Sequence, residues 1–236
     1  DQPPSQTLYA RSLVLEQGKE RVAICVIDSC MVDRELCDRA KSLVQKRLGI
    51  AVDRILISAT HTHTAPSAMR ALGTPPDPEY PAFLVLKIVD CIADAVKSVR
   101  PAEAGWTVAD AGLFTNTRRW IYLPHKMKTD PYGDVSVRAM MHPGYENPDT
   151  AGPSGPEDPD LTLLSIRERG GGEPLAVLGN LSQHYMAQGA NGTSVDLSCY
   201  RATVSVWISR PLHELVSLRS AFEFSWFLSP RTMSHG

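Results

Sequence analysis

The sequence lacks every short glycine signature of nucleotide and serine-hydrolase chemistry. It contains no GxxxxGK[ST], no GxGxxG and no GxSxG. Those absences exclude a phosphate-cradling P-loop, a dinucleotide fingerprint and a nucleophile elbow. It has no cluster of Lys or Arg, and its formal net charge is −2. A chain so balanced has no electrostatic footprint for nucleic acid or for an anionic membrane surface. The longest apolar stretches, 22–27 and 82–89, fall far short of the roughly 20 residues that span a bilayer, so no transmembrane segment is expected. The start, Asp1-Gln2-Pro3-Pro4, carries neither the basic region nor the apolar core of a secretory leader, and the compartment stays open. The five cysteines form no CxxC pair. At that density a disulfide framework is not expected, and Cys25 and Cys91, set in apolar runs, read as small buried hydrophobes.

What is present reads as an α/β domain. Residues 8–15 and 21–28 are β-rich runs separated by Gln17-Gly18-Lys19, a hairpin with glycine in its turn. Residues 33–48 follow with Leu36, Ala40, Leu43, Val44 and Leu48 at helical spacing, and Gly49 stands where a C-cap belongs. Residues 54–59 form another apolar run. Strand, helix and strand make a βαβ unit over 21–59, with its two strands parallel and a right-handed crossover. A second helix is expected over 78–99, with Leu84, Ile88, Ile92, Ala95, Val96 and Val99 on one face and Pro101 ending it. Residues 105–109 form a short strand. Residues 161–166 and 174–181 form two more around Arg169-Gly170-Gly171-Gly172. The fold class is therefore a mixed β-sheet with flanking helices.

Two stretches resist this pattern. Between 115 and 160, seven prolines from Pro124 to Pro159 prevent long regular elements, and so long a loop is usually functional. In residues 197–236, Trp207, Phe222, Phe224, Trp226 and Phe227 follow no sustained period, and 212–218 offers at most a turn or two of helix. The pattern divides the chain into 1–196 and an atypical C-terminal segment, 197–236, that packs as a terminal helix or is non-native sequence.

The chemistry concentrates in Ser58-Ala59-Thr60-His61-Thr62-His63-Thr64-Ala65-Pro66. In extended backbone, residues i and i+2 face the same side, so His61 and His63 can enter one pocket. Ligand sites in such sheets form beyond the carboxyl ends of the strands, where both histidines fall. Imidazole is a common zinc ligand, so the pair is a metal or acid/base candidate. His184 ends the run 176–183 and can approach His61; a lone histidine bonded to a carbonyl is the alternative. Asp196 can orient a histidine or be an ordinary loop carboxylate. Arg118 and Arg119, before Trp120, form a solvated or stacked face, or place one guanidinium on a substrate oxygen. His125 and His142 read as exposed loop residues, and Asp28 ends a buried strand at the same sheet edge.

These pieces together resemble the neutral/alkaline, non-lysosomal ceramidase family, in particular the N-terminal part of the catalytic domain in bacterial ceramidase-like proteins. The residues that carry the resemblance are Leu8-Tyr9-Ala10-Arg11, the block from Ile57 to Pro66, Arg118-Arg119-Trp120, Gly155-Pro156-Glu157-Asp158-Pro159-Asp160, Asn180-Leu181-Ser182-Gln183-His184-Tyr185 and Ser194-Val195-Asp196. The resemblance implies zinc bound by His61 and His184, with His63 at the reacting centre. It implies an active-site arginine at Arg118, with Arg119 as the alternative, because Thr117 stands where the family has asparagine. It implies that Asp196 lies close by. The expected reaction is zinc-dependent hydrolysis of a ceramide-like N-acyl amide to a fatty acid and a sphingoid base, with zinc activating water and the carbonyl. The expected partner is a small lipid-like amide, not nucleic acid. Resembling family members are often secreted or membrane-associated. The family's remaining zinc ligands, a glutamate and a tyrosine, lie further downstream, so the alternative is a truncated, inactive module. An unrelated His-x-His metal hydrolase on a (β/α)8 barrel ranks last, since about two βα units are present.

Overall fold

The computed structural model describes residues 8–63, 65–71, 73–141 and 147–182, together with the backbone of 205–209 and 223–233. The described chain divides into two compact units, residues 1–109 with 161–236, and residues 110–160.

The larger unit is built on an eight-stranded mixed sheet. Its strands are β1 (Leu8–Gln17), β2 (Glu20–Ile27), β3 (Ile55–Ala59), β4 (Arg100–Asp110), β10 (Asp160–Glu168), β11 (Pro174–Leu181), β12 (Ser205–Ser209) and β13 (Glu223–Met233), ordered β12-β11-β10-β4-β13-β1-β2-β3. β1 and β2 form the expected antiparallel hairpin, and Gly18 takes φ 61° at its turn. Only glycine enters that region at no steric cost. β2 and β3 pair in parallel, with Ala23 opposite Ile55 and Ile27 opposite Ala59. Between them runs α1 (Arg34–Leu48), so the βαβ unit stands as expected. Asp33 caps α1 by accepting the Leu36 N–H, and Gly49 closes it at φ 72°. An N-terminal acceptor and a left-handed glycine satisfy the amide and carbonyl groups that a helix leaves open.

α2 (Tyr80–Lys97) packs on β1, β2 and β13, and α1 packs on α2. One face of the hairpin, with Ala10, Val14, Ala23, Cys25 and Ile27, joins Leu36, Ala40 and Val44 of α1 and Leu84, Ile88 and Ile92 of α2 in the main core. Leu43, expected on the inner face of α1, is exposed, because the buried stripe runs strictly through 36, 40 and 44. The opposite face carries Leu13 and Val26 into a second core with Ala102, Ala104, Ile166 and Ala176. Burial on both faces explains why β2 reads as a continuous apolar run over 22–27 rather than an alternation.

Two sequence expectations change here, at β4 and in the proline-rich stretch. β4 is longer than 105–109, beginning at Arg100 immediately after α2. The segment after 197 contributes β12 and β13, and β13 lies between β1 and β4 with Leu8 opposite Met233. The suggested turn or two of helix at 212–218 lies outside the described residues. The loop-like stretch forms the second unit, whose strands are β5 (Trp120–Tyr122), β6 (Lys128–Thr129), β7 (Val135–Val137), β8 (Ala139–Met140) and β9 (Thr150–Pro153). They make a three-stranded β8-β5-β9 sheet and a β6-β7 ladder. Prolines limited the length of these strands, not their existence. Among the described residues, no helix is long and apolar enough to cross a membrane.

The two faces of α2 give a paired test. Ile88 is fully buried, whereas Leu86 is 59% exposed. Ile88→Ala is expected to cost about 2–5 kcal/mol through lost transfer energy and the cavity left behind. Leu86→Ala should change stability by less than about 1 kcal/mol. Urea midpoints of the two variants measure the difference.

Candidate metal and acid/base site

β2 and β3 end side by side, and the chain turns sharply after each. The carbonyl of Ile27 accepts two backbone N–H groups, from Ser29 at 3.0 Å and from Thr60 at 3.0 Å. Those bonds bend the segment after β2 towards the segment after β3. Cys30 and His61 are the residues that meet. His61 Nδ1 lies 2.8 Å from the Cys30 carbonyl oxygen and 3.8 Å from Cys30 Sγ. In the tautomer in which Nδ1–H donates to that carbonyl, Nε2 carries the lone pair, the arrangement that metal-binding histidines use.

His61 adopts φ 62°, the one left-handed non-glycine residue among those described. The sequence argument for convergence therefore needs correction. His61 lies beyond β3 and is not extended, so strand alternation does not align it with His63. The turn through positive φ does so instead. The two rings meet edge to face with centroids 4.8 Å apart. Such a conformation costs an L-residue about 1–2 kcal/mol, and strain of this kind clusters at functional sites.

The residue after β2 is a buried carboxylate. Asp28 is 2% exposed, and its Oδ2 accepts the Tyr9 N–H at 2.8 Å. Arg11 Nη1 donates to both carboxylate oxygens at 3.3 Å, and its guanidinium stacks over the Tyr9 ring. The segment Leu8-Tyr9-Ala10-Arg11, part of the sequence resemblance, thus holds the residue from which the Cys30 turn departs. Burial pushes the Asp28 carboxyl above its ordinary range, and the Arg11 charge pulls it back. At the foot of α2, Asp77 Oδ1 accepts the Tyr80 N–H. The buried Tyr80 phenol is pushed up to about 12, first by burial and then by the charges of Asp28 and Asp77, so it is neutral near pH 7.

Cys30 Sγ and one ring nitrogen each from His61 and His63 lie within 4.8 Å of one another. Cys30 and His61 are half-buried and His63 is exposed. One thiol and two imidazoles are the donor chemistry zinc takes, and burial raises the Cys30 thiol, which a bound metal would deprotonate. Sequence reasoning missed Cys30 because no motif surrounds it. The available signal was topological, since a cysteine just beyond β2 must lie beside whatever follows the parallel β3. A depression of about 240 Å³ between 18–21 and 49–54 lies at the amino ends of the same strands, away from this chemistry.

The other candidates are distributed differently. His184 and Asp196 lie outside the described residues, as does His142. Arg118 and Arg119 belong to the second unit and are exposed just before β5. There Thr117 Oγ1 donates to the Gly155 carbonyl and Trp120 Nε1 to the Thr117 carbonyl, which ties the arginine turn to the 155–160 motif. His125 is exposed. Among the described residues there is no disulfide, and Cys25 and Cys91 are buried.

Fold and site together define a mixed-sheet α/β domain with a His-x-His turn beyond the carboxyl ends of two parallel strands. Two solved ceramidase structures are similar to it in fold. The neutral ceramidase from Pseudomonas aeruginosa superposes with a TM-score of 0.58 at 18% identity, covering 82% of this chain and 29% of that one. A structure described as ceramidase complexed with C2 gives 0.57 at 17% identity, covering 82% and 28%. At this identity the likeness is one of fold, and the chain has a ceramidase-like fold while spanning less than a third of the length of those proteins. No family model and no curated protein matches the chain.

The strain at His61 can be isolated. His61→Ala and His61→Gly both remove the ring, but only alanine keeps a Cβ at positive φ. The glycine variant should therefore be the more stable by about 1 kcal/mol. Equal urea midpoints would mean that the backbone is unstrained there.

Proposed function

We propose that this chain carries part of the catalytic domain of a zinc-dependent amide hydrolase. Its substrate is a ceramide-like N-acyl sphingoid amide, cleaved to a fatty acid and an amine. The observation that supports it most is the convergence of His61 and His63 beyond the carboxyl end of β3, within a ceramidase-like fold. In this reading His61 is a metal ligand through the nitrogen opposite its bond to the Cys30 carbonyl, and His184 supplies the second imidazole. Bound there, zinc supplies Lewis acidity to the amide carbonyl and to water.

His63, exposed and set edge-on to His61, is placed to work on substrate. It takes a proton from the attacking water and returns one to the leaving nitrogen as the C–N bond breaks. Arg118, with Arg119 as the alternative, stabilises the negative charge that develops on the carbonyl oxygen. Asp196 orients a ligating histidine. Asp28 and Arg11 act at one remove by fixing the turn that offers the Cys30 carbonyl to His61.

The test is release of a fluorogenic N-acyl sphingoid product by the protein that carries this chain, with and without chelator, alongside zinc content by elemental analysis. His61→Ala should remove zinc and hydrolysis together. His63→Ala should keep the zinc and slow turnover by about 100-fold or more, the usual contribution of a positioned acid/base. Hydrolysis that survives both chelation and His61→Ala would overturn the proposal.

A further inference from the structure

Where α2 crosses the β1–β2 hairpin, two thiols from distant parts of the chain meet. Ala10 lies opposite Ile27 and Ser12 opposite Cys25 in the strand pairing. Ala10, Ser12, Ala23 and Cys25 are all fully buried, and so are Cys91 and Ala95 of α2. With side chains this small on both elements, close packing draws the helix down onto the strands. Cys91 Sγ donates to the Ala10 carbonyl at 3.2 Å, inside the core. Cys25 stands two residues from Ile27, the partner of Ala10, and is therefore the diagonal neighbour of Ala10. The Cys25 and Cys91 thiols are hydrogen-bonded to each other there. That bond, and then burial, push the Cys25 thiol well above its ordinary range, so it is protonated near pH 7.

We propose that Cys25 and Cys91 are an oxidation site, at which a disulfide staples α2 to the β1–β2 hairpin. The oxidant is a small disulfide of the glutathione class. One sulfur–sulfur bond forms in the protein and one breaks in the oxidant. The two thiol protons leave with the halves of the oxidant, which depart as thiols. Neither cysteine reaches solvent in the folded chain. Exchange therefore takes place while α2 is lifted from the hairpin, during folding or local opening. Once α2 docks, the same burial shields the bond from reductants. The bond closes the chain from 25 to 91, a loop that holds α1, β3 and the His61–His63 turn. A disulfide acts mainly by restricting the unfolded chain, and more so for a longer loop. It thus stabilises the frame of the site without entering its chemistry. The inference is independent of metal binding and of the amide substrate.

The test starts from the 236-residue chain, unfolded in urea with reductant and refolded in a mixture of reduced and oxidised glutathione. Free thiols are then alkylated under denaturing conditions, and disulfides are mapped by mass spectrometry without reduction. Cys25 and Cys91 should appear as one linked peptide pair in most of the refolded chain, with Cys30 and Cys37 alkylated. The urea midpoint of the oxidised chain should exceed that of the reduced chain. Reductant should remove the shift, and Cys91→Ala should never show it. Refolded chain with Cys25 and Cys91 both alkylated, or joined to other cysteines, would overturn the inference. A linked pair with an unmoved midpoint would overturn the staple. If refolding is incomplete, soluble native chain held in sub-denaturing urea with oxidised glutathione answers the same question by the same map.

Discussion

The carbonyl of Ile27 is the point on which the site depends. It ends β2 and accepts the N–H of Thr60, which extends the parallel pairing one step beyond β3. It also accepts the N–H of Ser29, which stops β2 from running on. One acceptor thus welds two strands and starts the turn that separates their continuations. A buried carbonyl left without donors would cost about 1–3 kcal/mol, so this junction is favoured by the same rule that makes sheets. Everything chemically interesting in the larger unit, Asp28, Cys30, His61 and His63, lies within four residues of that weld or of its partner strand end.

The βαβ unit was legible in the sequence because its signals are local. Asp33 before an apolar stripe, Gly49 after it and two short aliphatic runs on either side each have a mechanism tied to neighbouring residues. The position of His61 beyond a strand end followed from the same pattern. The elements that were not legible are those decided by distant partners. β13 finds its place between β1 and β4, more than 100 residues away in the chain, and nothing periodic in its own sequence announces that. The strands of the second unit are two to four residues long, shorter than any window in which alternation can be counted. Cys30 was overlooked for a related reason: its partner is 31 residues away, and only the parallel register brings them together. The His-x-His pair was found by a rule that does not operate there, since His61 is held by positive φ and not by strand alternation.

The two ends of β2 and β3 show how the fold separates ease from strain. At the amino ends, Gly18 and Gly49 take the left-handed conformations, where no side chain objects. At the carboxyl ends the left-handed residue is a histidine, and a carboxylate, Asp28, is buried one residue beyond β2. A substitution to glycine would relieve the first cost and an apolar residue at 28 the second, yet neither glycine nor an apolar residue occupies those positions. Strain and a buried carboxylate at one end, against relaxed turns at the other, are what a site for chemistry imposes on a sheet otherwise satisfied by packing.

That asymmetry also bears on why the metal reading draws on more than the histidines. Burial, the larger effect, favours the neutral form of Asp28, and the charge of Arg11 works against it. Replacing Asp28 by a neutral isostere would leave Arg11 facing a weaker acceptor, and removing it would strand the Tyr9 N–H. Either change acts first on the turn holding Cys30, then on the carbonyl that orients His61. The chain of dependence runs from Tyr9 and Arg11 through Asp28 and the Cys30 carbonyl to the His61 ring. It makes the segment Leu8-Tyr9-Ala10-Arg11 part of the apparatus that sets which nitrogen of His61 faces outward.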